Sequence, residues 1–162
     1  MDKLDRDIIR LLQRNARMPF TKIAEELGKP DTTIHFRTRQ LVEKGIVKKF
    51  GAVISPESYE YTTAGLLEIE IGGHILPEIS HDRTISFAKE LAEQEQFLWI
   101  SVDKEPMKIH ALLMARDEDD LDQRVQVIKK SPDVVNISST PLATVVKGWE
   151  ITETPQGRDT GE

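Results

Sequence analysis

The chain has 162 residues, enough for one medium domain or two small ones, and its 38% apolar and 31% charged composition is that of a globular protein. It has no cysteine, which excludes disulfides and thiolate metal sites and fits a reducing cytoplasm. It has no apolar run of about 18 residues that would span a membrane, and Met1-Asp2-Lys3-Leu4-Asp5-Arg6-Asp7 is too charged for a signal or transit peptide.

Leu4, Ile8, Leu11 and Leu12 recur at helical spacing, so the chain opens on an amphipathic helix. Asp2 is placed to cap it, and Pro19 ends it by disfavouring helix at Met18. A second helix is expected over Phe20–Leu27, with Thr21 as its cap and Gly28 as its stop. A third is expected from Asp31 to Lys44, capped by Asp31, with Ile34, Thr38, Leu41 and Val42 buried. The β-branched run from Ile46 to Ile54 reads as a short hairpin or wing, and 55–62 as a linker.

The remainder reads as strand, helix, strand, strand, helix, strand. Strands are expected at 63–71, 97–102, 109–115 and 134–146. One helix is expected from about Asp82–Thr84, after a long loop, with Ile85, Ala88, Leu91 and Ala92 inward; the other follows Asp117. The fold class is therefore α+β. A winged helix-turn-helix domain (1–54) precedes a βαββαβ ferredoxin-like sandwich (63–150), and 151–162 forms a polar, flexible tail.

The net charge of −6 conceals an asymmetry. Residues 1–50 hold 12 Lys/Arg against 7 Asp/Glu, a net +5, whereas residues 51–162 hold 10 against 21, a net −11. A basic first third on an acidic remainder suggests one end that faces double-stranded DNA. The second and third helices have helix-turn-helix spacing, which sends the third into the major groove. Its outward residues are Thr32, Thr33, His35, Phe36, Arg39 and Gln40. Arg39 suits guanine or phosphate, Gln40 adenine, and Thr32 and Thr33 a thymine methyl or a phosphate; His35 can donate to a base edge or phosphate. Phe36 either packs on a thymine methyl or sugar, or folds back on the first helix. Arg37, Lys48 and Lys49 suit phosphates, which position without specifying.

Several stretches carry a resemblance. They are Leu4-Asp5-Arg6-Asp7-Ile8-Ile9-Arg10-Leu11-Leu12-Gln13, Ala16-Arg17, and Ile23-Ala24-Glu25-Glu26-Leu27-Gly28. They continue with Arg37-Thr38-Arg39-Gln40-Leu41-Val42-Glu43-Lys44-Gly45-Ile46-Val47 and Ile54-Ser55-Pro56-Glu57. In this order the chain resembles the Lrp/AsnC, or feast/famine, regulators from about Leu4 to Val146. The resemblance implies a homodimer with paired C-terminal sheets, assembly to octamers, and a small effector, commonly an amino acid, bound between subunits. The chain departs from the family in two places. Pro30 stands where the family has a capping serine. The stretch Ser101-Val102-Asp103-Lys104-Glu105-Pro106-Met107-Lys108 lacks the family's loop glycine. Ser101 and Asp103 are the matching polar positions, Asp103 placed to take an α-amino group.

No catalytic residue, cofactor or metal site is expected. His35, His74, His81 and His110 have no metal-ligand spacing, and there is no phosphate-cradling glycine loop or nucleophile elbow. Two other readings share the architecture: a siroheme-type tetrapyrrole decarboxylase, for which His110 would be the one strand histidine of its domain, and an effector-independent architectural DNA-binding protein.

Overall fold

The computed structural model describes residues 1–73, 77–104, 107–149 and 151. It divides into two compact units, Met1–Ala52 and the chain from Val53 on.

The first unit holds three helices, α1 (Lys3–Arg14), α2 (Phe20–Leu27) and α3 (Asp31–Glu43). Asp2 accepts the Asp5 backbone N–H at 2.9 Å, and the Asp5 carboxylate accepts the Asp2 N–H at 3.1 Å, a reciprocal capping box. Ile8, Leu11 and Leu12 of α1 meet Ile23 and Ala24 of α2 and Ile34 and Leu41 of α3 in one buried cluster. Gly28 turns α2 into α3 at φ 59°, ψ 41°, a left-handed conformation that glycine enters without a Cβ penalty.

Four local expectations for this unit are corrected. Pro19 and Pro30 occupy the N-cap positions of α2 and α3 and give no side-chain cap, so neither Thr21 nor Asp31 caps. Each helix starts directly after its proline, where the fixed φ near −60° already suits helix entry. Lys44 is the C-cap of α3 rather than its last residue. Val42 is 43% exposed because Ile34, Thr38 and Leu41 fill the inward stripe. The hairpin or wing is absent, since 44–53 contain no strand and Ile54 makes a single antiparallel bridge to Ile151. Only Ala52-Val53-Ile54-Ser55 follow Gly51 before Pro56, too short a stretch for a second strand, which ordinarily runs to about five residues.

The second unit contains β1 (Thr63–Ile71), α4 (Pro77–Ala92), β2 (Phe97–Val102), β3 (Lys108–Ala115), α5 (Glu118–Lys129) and β4 (Val134–Leu142). The four strands form one antiparallel sheet in the order β2-β3-β1-β4. This is the ferredoxin-like arrangement expected of a βαββαβ chain. Alternation along β1 and β3 turns Leu67, Ile69, Ile71, Ile109, Ala111, Leu113 and Ala115 toward α4 and α5, where they join Phe87, Leu91, Leu121 and Ile128. Asp117 caps α5 by accepting the Asp120 N–H at 2.7 Å.

The bounds of α4 and β4 differ from expectation here. α4 begins at Pro77, which suits a first helical position, so the long loop is shorter and His81 lies on the helix. Its inward face is Ser80, Thr84, Phe87, Ala88 and Leu91; Ile85 is half-buried and Ala92 exposed. β4 ends at Leu142, where its pairing with β1 ends opposite Ala64. His74 and residues 152–162 lie outside the described residues. Among the described residues no helix is long and apolar enough to cross a membrane.

Candidate nucleic-acid interface

The outward face of α3 follows from its buried one. At about 100° per residue, Phe36 points about 170° from the mean direction of Ile34, Thr38 and Leu41, so it forms the crest of the exposed side. Thr32, Gln40 and Arg39 flank that crest within about 60°. Thr32, His35, Phe36 and Arg39 are exposed, and Thr33 and Gln40 are half-buried. Phe36, 59% exposed, does not fold back on α1.

The two sides of the crest are engaged by neighbouring helices. On one side Arg37 turns to α1, its Nη1 lying 2.8 Å from Asp2 Oδ2 and 3.3 Å from Asp5 Oδ1. Arg37, expected to meet phosphate, therefore ties α3 to the capping box of α1. On the other side the His35 ring stands edge-on to Phe20 of α2, centroids 4.6 Å apart at 86°, with Nε2 3.7 Å from Asp31 Oδ2. Arg39 Nε donates to Glu43 Oε1 at 2.8 Å. That bond uses the Nε–H of a side chain that is 80% exposed, and the terminal nitrogens keep donors of their own. Sequence reasoning passed over Glu43, although an arginine and a glutamate four residues apart on a helix are a legible pair. Lys48 and Lys49 are exposed on the irregular stretch after α3. A 570 Å³ groove beside the crest is lined by Phe20, His35, Phe36, Arg39, Val42 and Phe50, among others.

The Asp5 N–H and the Arg37 guanidinium hold the Asp2 carboxyl below its ordinary value of 3.8. A carboxylate depressed in the folded state contributes stability above its unfolded value and loses it as pH falls through the folded one. Asp2→Asn is therefore expected to melt below the parent at about pH 5, with the gap closing toward about pH 3. Thermal unfolding followed by helical circular dichroism at both pH values checks this, and a gap constant with pH would contradict it.

In the second unit, Ser101 of β2 stands opposite His110 of β3. Asp103 Oδ2 is 3.2 Å from His110 Nε2, and Glu68 Oε2 is 4.0 Å from Nδ1. Asp103 thus bonds His110, and Ser101 is its neighbour across the strands. These groups lie on the sheet face away from the helices. There Trp99, Leu112 and Leu66 are paired in register on adjacent strands, with Trp99 51% and Leu66 44% exposed. Trp99 is therefore on this open face rather than in the core. Trp149 is half-buried and donates from Nε1 to Glu57 Oε1 at 2.8 Å. Among the described residues no group of three or more histidine, cysteine or acidic side chains is placed to hold a metal ion.

The AsnC-type helix-turn-helix domain matches residues 1–42. Over 154 residues the chain is 30% identical to an uncharacterised HTH-type transcriptional regulator of Pyrococcus furiosus, covering 94% of this chain and 93% of that one. The chain belongs to the AsnC family. A solved structure of a P. furiosus transcriptional regulatory protein of the AsnC family superposes with TM-score 0.73 at 29% identity, covering 95% of this chain and 99% of that one. Escherichia coli AsnC superposes with TM-score 0.76 at 21% identity over 90% of this chain and 94% of its own, which speaks for the fold. A Neisseria meningitidis regulator solved as an L-Met complex also shares it, with TM-score 0.77 at 20% identity over 91% and 92%. The AsnC-family chain is thus a transcriptional regulator with a helix-turn-helix DNA-binding domain.

Proposed function

We propose that this regulator reads DNA sequence through the outward face of α3 and does so as a homodimer. The observation that carries the reading is that face itself. Thr32, Phe36 and Arg39 project from a helix whose opposite side is locked into the headpiece core. Thr33, His35 and Gln40 border the readers, while Lys48 and Lys49 contact phosphate. Arg37 serves the headpiece first and reaches phosphate only from its flank. The row of exposed Trp99 and Leu66 with half-buried Leu112 between them supports pairing of the open sheet faces, because large apolar side chains in register gain by being covered. A symmetric dimer would set two recognition helices about one duplex turn apart, roughly 34–36 Å, and favour a pseudo-palindromic site.

The second unit takes a small amino-acid-like effector near Ser101 and Asp103. Support comes from the L-Met complex of the Neisseria regulator and from the carboxylate at Asp103. Asp103 is already paired with His110, so an effector ammonium would replace the imidazole there. The protein acts by binding and carries out no reaction of its own.

A footprint on the DNA upstream of the gene, titrated at two salt concentrations beside a random duplex of equal length, tests the reading. A discrete protected site that persists at the higher salt supports it. Equal, strongly salt-dependent binding to both duplexes would favour the architectural alternative, since counterion release is blind to sequence. Within a protected site, Arg39→Ala is expected to cost about 1–3 kcal/mol and relax the preference at one base pair. Unchanged affinity would remove Arg39 from the readers.

A further inference from the structure

We infer that Phe36 is a specificity residue that recognises the 5-methyl group of a thymine in the major groove. The inference rests on the DNA-reading function proposed above and names what the crest of α3 reads.

A helix that enters the major groove puts its crest deepest, against base edges, and its sides against the backbone. Phe36 is at that crest, opposite the buried stripe, and is 59% exposed. Both neighbours in sequence are drawn aside, Arg37 to Asp2 and Asp5 and His35 to Phe20. The polar residues that share this face, Thr32, Arg39 and Gln40, flank the ring rather than stand at the crest. A phenyl group offers no hydrogen bond, so it cannot distinguish guanine, cytosine or adenine by their donors and acceptors. The thymine methyl is the apolar feature of the major-groove edge, and apolar contact with it is a recognised mode of readout. A deoxyribose contact would be possible from the side of the helix, but the crest lies away from the sugars.

The neighbours of Phe36 place this contact in a site. Arg39 lies three residues on, about 4.5 Å along the helix axis, against about 3.4 Å between bases on a strand. The thymine read by Phe36 should therefore lie within one or two base pairs of the position that Arg39 reads.

The test uses the full-length protein and a duplex carrying the footprinted site. Each thymine is replaced in turn by deoxyuracil, which removes the methyl and keeps every base-pairing group. At one thymine per half-site the parent protein is expected to lose roughly three- to tenfold in affinity, the scale of one buried methyl contact. Phe36→Ala is expected to bind the two duplexes equally, and Phe36→Leu to keep part of the discrimination. Unchanged far-UV circular dichroism and headpiece melting would show that the variants are folded. Equal binding of thymine and deoxyuracil duplexes by the parent, with the protected site intact, would overturn the methyl contact and leave the DNA-reading function standing. A deoxyuracil penalty undiminished in Phe36→Ala would also overturn it, by assigning the methyl to another residue. A parent that discriminates no site at all would remove the underlying reading as well.

Discussion

Ile34→Ala is expected to unfold the headpiece and abolish DNA binding while the sheet of the second unit stays folded. Ile34 is 0% exposed and joins the buried residues of all three helices on the face of α3 opposite Phe36. Removing its outer carbons takes away transfer free energy and leaves a cavity, about 2–5 kcal/mol in a well-packed core. A unit spanning only Met1–Ala52 has little to lose. Domains of this size bury a smaller share of their surface than larger ones, and their single cores rarely supply more than about 3–5 kcal/mol. The expected loss is therefore comparable to the whole stability of the headpiece. Hydrogen exchange resolved by peptide would show lost protection across α1–α3 and retained protection in β1 and β3. Protection of α3 equal to the parent's would mean that the headpiece core relaxes into the gap, contrary to close packing.

The sequence is most readable where an element has a single periodicity and a clear stop. Phe20–Leu27 and Asp31 onward stand between prolines and glycines, and Thr63–Ile71 alternates cleanly, so their bounds could be read within a residue. The wing could not be read correctly, because β-branched residues favour extended backbone without supplying a partner strand. Ile54 found its one bridge at Ile151, far along the chain. The early start of α4 was hidden because a proline can mark a loop as readily as a helix start, and Ser80 and Thr84 look polar in sequence although both are buried. The Thr84 hydroxyl donates to the Ser80 carbonyl at 2.8 Å, which makes that burial tolerable.

The candidate site shows the same division. Which residues face outward on α3 followed from spacing alone. What each is tied to did not, because Arg37 meets Asp2 and Asp5 only once α1 and α3 have packed. Phe36 had two uses on paper, and the packed headpiece leaves it exposed. A register irregularity in β2 between Phe97 and Trp99 helps set Trp99 on the open face. Bulges of this kind are invisible in composition.

In the second unit, Gly65→Val is expected to destabilise although strand propensity alone predicts the reverse. Valine is favoured over glycine in strands on a scale spanning about 1 kcal/mol. Gly65, however, faces α5. A Cβ built on it would lie 2.8 Å from Leu121 Cδ1, 3.0 Å from Leu121 Cδ2 and 3.2 Å from Ser139 Oγ. Leu121 is 1% exposed, so its methyls cannot swing into solvent and can move only by displacing packed neighbours. Overpacking of this kind costs about 1–3 kcal/mol, enough to exceed the propensity gain. Leu121→Ala alone is expected to cost about 2–5 kcal/mol by opening a cavity at the same place. The two faults are complementary, since the valine methyls would occupy volume that the leucine leaves. Gly65→Val/Leu121→Ala should therefore be more stable than the sum of the single losses implies, by about 0.5–3 kcal/mol. Urea unfolding of the four proteins measures that coupling. Additive losses would mean that β1 and α5 do not share this space, and the close approach at Gly65 would then not be what holds a glycine in the middle of a strand.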